Sequence, residues 1–154
     1  MLAGTSAGAS AMATHMMAFG RAGETPKQRM AQLAAGLGIL QGVVVDQHFE
    51  QRGRFGRLLA VIAQSPSLLG IGLDEDTSAI VYADRSMEVV GRGAVTVLDG
   101  SRVADRRATR PRRPPADHDL GSGGALAARR LLVRPPQRER CWPEAPGMER
   151  EASE

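Results

Sequence analysis

Three consecutive valines, Val43-Val44-Val45, break the alternation expected of a strand with one solvated face. A continuous β-branched run is the composition of a strand buried on both sides, which demands covering layers above and below it. The run stops at Asp46-Gln47-His48-Phe49, so polar groups follow at its carboxyl end. Residues 54–64 (RFGRLLAVIAQ) then carry Phe55, Leu58, Leu59 and Ile62 at helical spacing, and Ser65-Pro66 closes that helix. Residues 69–73 form a second short apolar run, and further strands are predicted over 79–82, 87–90 and 94–98. Strand–helix–strand early, then strands in succession, predict an α/β layer with an antiparallel edge.

Upstream, the first residues read as the end of a strand and a glycine-rich turn, Gly4-Thr5-Ser6-Ala7-Gly8. A helix is predicted from residue 7 to about 19, ending near Gly20, with a short helical stretch over 27–35 and a turn region over 36–42. The character changes after Gly100. Residues 101–154 hold seven of the nine prolines and 12 arginines but no lysine, and their one compact apolar run is Leu131-Leu132-Val133. No core can be drawn for that segment, so disorder is its default state. Its Arg/Pro/Ala/Gly bias also resembles GC-rich DNA translated in a shifted frame. The expected organisation is a folded domain, or part of one, over 1–100 and a disordered or frame-shifted tail over 101–154.

Charge divides at the same place. The net charge of +3 arises from the tail, at +4, whereas residues 1–100 carry −1. A basic disordered arm suggests nucleic acid, but eight acids and a single tail aromatic, Trp142, argue against that partner. One cysteine, Cys141, excludes an internal disulfide, offers no metal-ligand spacing and fits a reducing compartment. No apolar stretch approaches the roughly 20 residues that span a bilayer, and the opening residues lack a basic leader. The expectation is a soluble, cytoplasmic protein that binds neither membrane nor nucleic acid.

Gly4-Thr5-Ser6-Ala7-Gly8 matches G-x-S-x-G, the nucleophile elbow. A serine on a tight strand-to-helix turn presents its hydroxyl clear of the backbone, and the next amide, that of Ala7, can stabilise an oxyanion. In a chain with 18 glycines the pattern equally describes a plain turn capping a helix. A serine nucleophile needs a base, and three histidines are available: His15, His48 and His118. His15 falls in the predicted first helix and His118 in the tail. His48 follows the buried strand, at a carboxyl end where sites collect in open α/β sheets. Asp74-Glu75-Asp76 follows the 69–73 strand at another carboxyl end and offers an acid to orient the base. A solvated acidic turn is the plainer reading of that trio. The order serine, histidine, acid departs from that of α/β-hydrolases.

These segments resemble those of cyanophycinases, within a wider serine peptidase family that includes aspartyl dipeptidase. Gly4 through Met12 is similar to their nucleophile segment. Asp46-Gln47-His48-Phe49, with Arg52, Arg54 and Arg57-Leu58-Leu59, is similar to their histidine segment. Gly70-Ile71-Gly72-Leu73-Asp74-Glu75-Asp76-Thr77 is similar to the segment bearing their acid, and Gly91-x-Gly93-Ala94-Val95 and Val97-Leu98-Asp99-Gly100 fit the strand region. The resemblance runs in order over residues 2–100. It implies a partial flavodoxin-like or class I glutamine-amidotransferase-like sheet with helices. Ser6 would be the nucleophile, His48 the general base and acid, and Glu75 the group that orients His48. It also implies cyanophycin, an arginyl-polyaspartate polymer, as substrate, cut to β-aspartyl-arginine dipeptides. No metal or organic cofactor is implied, and the full-length family member would be a homodimer. Arg52, Arg54 and Arg57 could hold carboxylates through bidentate contacts. Asp46 and Gln47 could receive a guanidinium or a backbone amide; an exposed basic helix start is the plainer alternative.

In this family the elbow lies near the middle of the chain, after further strands and a glycine-rich loop that would supply a second oxyanion amide. Here it begins at residue 4. The expectation is a carboxy-terminal piece whose 43–45 strand exposes apolar faces and open edges, poorly folded and inactive when made alone. The competing readings are a related aspartyl dipeptidase, a non-catalytic fragment retained for association, and a nucleic-acid binder acting through its tail.

Overall fold

The computed structural model describes residues 1–23, 25–26 and 30–101, together with the backbone of 129–133 and 137–140. The elements in chain order are α1 (Ala7–Ala11), β1 (His15–Gly20), β2 (Ala31–Ala35), β3 (Val43–Gln47), α2 (Phe55–Gln64), β4 (Leu69–Leu73), β5 (Thr77–Val81), β6 (Ser86–Gly91), β7 (Val95–Asp99), β8 (Arg129–Val133) and β9 (Gln137–Arg140). The predicted strands and helix between residues 43 and 99 are all present. The central sheet has the order β3-β4-β7-β8. Its β3–β4 pair is parallel, joined across α2, while β4–β7 and β7–β8 are antiparallel. This is the mixed α/β arrangement expected from the pattern, with one parallel pair among the described strands.

The valine run behaves as its composition dictates. Val43 and Val45 face one apolar cluster, with Ile71, Val95 and Val97, and Met87 and Val89 of β6 close over it. Val44 points the other way, into a cluster with Leu58, Val61 and Ile62 of α2, Met17 of β1 and Leu98 of β7. All three valines are essentially inaccessible. The anticipated exposure of their faces is therefore corrected: β5 and β6 cover one side, while α2 and the β1–β2 hairpin cover the other. Helix α2 lies close because Gly70 has no side chain; a Cβ there would sit 2.9 Å from Ile62 Cγ1 and 3.1 Å from Leu58 Cγ.

Two upstream expectations fail. The helix predicted to reach residue 19 stops at Ala11, and residues 15–20 form β1 instead, paired antiparallel with β2. Residues 31–35 are accordingly strand and not helix, while 27–29 of that prediction lie outside the described residues. Alanine and methionine are good helix formers, but intrinsic propensity amounts to less than about 1 kcal/mol per residue and tertiary contacts override it. The contacts are specific. Ala13 is fully buried and bridges Leu40, and the chain doubles back at Gly36, where a Cβ would lie 2.0 Å from Ala13 O. Met17 alone of β1 is buried, and the register with β2 shifts between Met17 and Phe19.

The tail was expected to lack structure. Its apolar run Leu131-Leu132-Val133 instead lies in β8, opposite Val97, Thr96 and Val95, and Gln137–Arg140 adds to the edge of β6. The rest of the tail, including His118, Cys141 and Trp142, lies outside the described residues. No helix among the described residues is long and apolar enough to cross a membrane.

Candidate active site

The glycine-rich turn is built by close approach of backbone. A Cβ on Gly4 would lie 2.7 Å from the carbonyl carbon and oxygen of Gly8, so position 4 admits no side chain without a shift. Gly8, in contrast, faces open space. Between them Ser6 adopts φ 50°, ψ −122°, a conformation that L-residues rarely enter and that marks functional turns. The amides of Gly8, Ala9 and Ser10 bond to the carbonyls of Thr5 and Ser6. The Ala7 amide has no acceptor among the described residues. Helix α1 has only five residues, so whatever positive character this end presents comes from that unpaired N–H itself.

Ser10 ties the turn to the sheet. Its hydroxyl is fully buried, donates to Val45 O at 2.8 Å and accepts from Met17 N–H at 3.0 Å. The elbow is thereby pinned to β3, whose end carries the imidazole. His48 takes φ 50° as the chain leaves β3. The next residue, Phe49, is buried and its N–H donates to Leu73 O at 3.0 Å, at the end of β4. Gly72 makes room for that ring, since a Cβ there would stand 2.5 Å from Phe49 Cγ.

The three polar groups meet in series. Ser6 Oγ is 2.9 Å from His48 Nε2, and His48 Nδ1 is 2.8 Å from Glu75 Oε1. With Nδ1–H donating to the carboxylate, Nε2 is left to accept the serine proton. The His48 side chain is 27% exposed and that of Glu75 50%. The sequence candidates Ser6, His48 and Glu75 are thus brought together, and His15 lies away from them at the start of β1.

The basic and acidic neighbours separate into two groups. Asp46 is fully buried: Arg57 Nε donates to its Oδ2 at 2.6 Å, Arg57 Nη2 to its Oδ1, and Arg54 Nη1 reaches Oδ1 at 3.4 Å. Arg57 also donates to Gly20 O at 3.0 Å, and Arg54 to Gln47 O. Burial, and then the neighbouring Arg57 charge, lower the Arg54 guanidinium from its ordinary value, with Asp46 pulling in the opposite direction. Sequence reading placed Asp46, Arg54 and Arg57 toward substrate; here they face one another, because a buried charge needs a partner and each finds one within the fold. Arg52 is different. It is exposed and its side chain has no partner among the described residues. Gln47 Oε1 is buried without a hydrogen-bond partner, an acceptor waiting for a donor.

Residues the sequence left without a role surround the acid. Asp74 accepts from Glu50 N–H and from Ala94 N–H, and Gln51 accepts from Glu75 N–H. Thr77 Oγ1 donates to Glu75 O at 3.0 Å. Among the described residues no cluster of three His, Cys, Asp or Glu side chains is disposed to hold a metal ion.

A hydroxyl, an imidazole and a carboxylate in hydrogen-bonded series have the layout of the serine-hydrolase class. Comparison with known proteins agrees with it: the model of peptidase family S51 matches residues 1–90, and the chain belongs to that family. It is 48% identical over 103 residues to a cyanophycinase of Geminocystis herdmanii, covering 67% of this chain and 38% of the relative. It is 51% identical over 98 residues to a cyanophycinase of Trichormus variabilis, covering 64% and 33% of the two chains. A cyanophycinase of Synechococcus elongatus is 48% identical over 99 residues, with 64% and 31% covered. The chain therefore spans about a third of the length of the curated relatives it matches.

Proposed function

We propose that this chain carries the catalytic residues of a cyanophycin-hydrolysing serine peptidase. The observation that carries the reading is the Ser6–His48–Glu75 series, at 2.9 and 2.8 Å. His48 Nε2 takes the Ser6 proton as Oγ attacks a backbone amide carbonyl of the polyaspartate chain, leaving each β-aspartyl-arginine side linkage intact. Glu75 holds the ring through Nδ1–H and stabilises the imidazolium that forms. The oxyanion that develops is met by the Ala7 N–H, which is free to donate. His48 then returns its proton to the departing amine, and a water activated by the same imidazole releases the acyl group from Ser6.

Substrate recognition falls to the groups that remain unpaired. Arg52 is available for a carboxylate and Gln47 Oε1 for a guanidinium or amide N–H, and cyanophycin presents both. Asp46, Arg54 and Arg57 act one layer below, by holding the end of β3 against α2 and β1. The same reading includes a cytoplasmic homodimer for the full-length family member, consistent with the lone cysteine. The described residues offer one oxyanion donor, and loss of one such donor typically lowers rate about 10²- to 10³-fold, so polymer turnover by this chain alone is expected to be feeble.

Single-turnover labelling is the direct test. A fluorophosphonate should modify Ser6 in this chain and fail to modify Ser6→Ala or His48→Ala. Release of β-aspartyl-arginine from cyanophycin, against release from α-aspartyl dipeptides, separates the polymer-cleaving reading from an aspartyl dipeptidase. A folded chain whose Ser6 is no more reactive than Ser101 would refute the catalytic assignment.

A further inference from the structure

His48 and Glu75 are carried by two different loops, and their contact is an exposed one, so something must hold the loops in register. The sequence expectation gave that task to no residue. The structure shows a reciprocal arrangement. On the histidine loop, the Gln51 side chain accepts from the backbone N–H of Glu75 at 3.0 Å. On the acid loop, the Asp74 side chain accepts from the backbone N–H of Glu50 at 3.1 Å. Each loop thus offers one side-chain acceptor and one backbone donor to the other, and the pairs are adjacent in both segments. The second oxygen of Asp74 continues the link, accepting from Ala94 N–H at 3.0 Å where β7 begins.

We infer that Gln51 and Asp74 are positioning residues that set the distance from His48 to Glu75; this rests on the catalytic reading above. Neither reaches Ser6 or the imidazole. They act through the backbone: Glu75 is aimed by its own N–H, and His48 by the turn over residues 49–53, to which Glu50 belongs. A carboxylate with one rotatable arm more than aspartate is free to swing, and a half-exposed glutamate needs its main chain fixed if it is to meet Nδ1–H at 2.8 Å. Asp74 is the stronger arm, since its carboxylate joins two donors from elements distant in sequence. Gln51 is exposed, so the link it makes has little to do with holding the core.

The test separates register from chemistry. In the 154-residue chain, proton NMR should show a low-field resonance from His48 Nδ1–H, and hydrogen exchange should show a protected Glu75 amide. Gln51→Leu should broaden or abolish the first and deprotect the second, with the melting transition unmoved. Gln51→Glu, which keeps an acceptor oxygen, should restore both. Asp74→Ala should do the same as Gln51→Leu and deprotect Glu50 and Ala94 as well. Fluorophosphonate labelling of Ser6 should slow roughly ten- to a hundredfold in Gln51→Leu, the range that a misplacement of about 1 Å produces. If both variants keep the low-field resonance and the Glu75 protection, the inference is overturned, whatever the labelling rate. If Ser6 resists labelling in the parent chain, the catalytic reading fails while the NMR readout still decides the brace.

Discussion

Arg57 and Asp46 hold one another beneath the candidate site, with Nε 2.6 Å from Oδ2 and the carboxylate wholly enclosed. The pair joins α2 to β3, and through Gly20 O it reaches β1 as well. Three elements, β1, β3 and α2, therefore share one buried ion pair.

Breaking that pair from one side leaves a charge with no water and no partner. Arg57→Leu and Asp46→Asn are each expected to destabilise the chain by about 3–5 kcal/mol, which chemical denaturation would measure. Arg57→Lys is expected to rescue little, because one ammonium cannot make the two-pronged contact and reach Gly20 O together. Stability near that of the parent chain would show that the pair is dispensable.

Ser10→Ala removes a hydroxyl that serves two buried backbone groups, Val45 O and Met17 N–H. The expected loss is about 1–3 kcal/mol, the cost of leaving such groups unsatisfied. A thermal melt reads the loss. Ser6 labelling should slow in parallel, since the same hydroxyl registers the elbow on β3.

The two elbow glycines should respond oppositely. Gly4→Ala forces a Cβ to 2.7 Å from Gly8 backbone and should abolish Ser6 labelling. Gly8→Ala meets nothing within 4 Å and should leave the melting transition in place. Equal effects from the two would contradict the turn geometry.

Arg52→Ala should not disturb the fold, since the side chain is exposed and unpaired among the described residues. Its effect is expected on binding. Calorimetry with β-aspartyl-arginine should show affinity reduced about tenfold or more, because a charge-assisted hydrogen bond contributes roughly 1.5–3 kcal/mol. Unchanged affinity would remove Arg52 from the substrate reading.

The parts of the fold written in periodic patterns were legible. Val43 to Val45, the spacing of Phe55, Leu58 and Ile62, and the run from Leu69 to Leu73 all state their element and burial in their own composition. The β1–β2 hairpin was not, because Met16, Met17 and Phe19 carry no strong β signal. Their strand is imposed by the burial of Ala13 and Met17 and by the reversal at Gly36. At the site, Ser6, His48 and Glu75 could be named because their types and segments are distinctive. The contacts of Ser10, Gln51 and Asp74 could not. Their partners are backbone groups in segments remote in sequence, 35 residues away for Val45 and 24 for Glu75 and Glu50, and a main-chain donor or acceptor leaves no mark on the sequence.

Five residues of β3 answer to both apolar clusters, to the buried ion pair and to the end of the sheet that carries the candidate site at once. Because side chains alternate along a strand, adding or deleting one residue before His48 would invert every one of those assignments together. Asp46 would be thrust among valines and methionines, Val45 would land against Arg57, and the imidazole would turn from the serine. The spacing of this short segment is therefore less tolerant of change than the identity of any single residue within it.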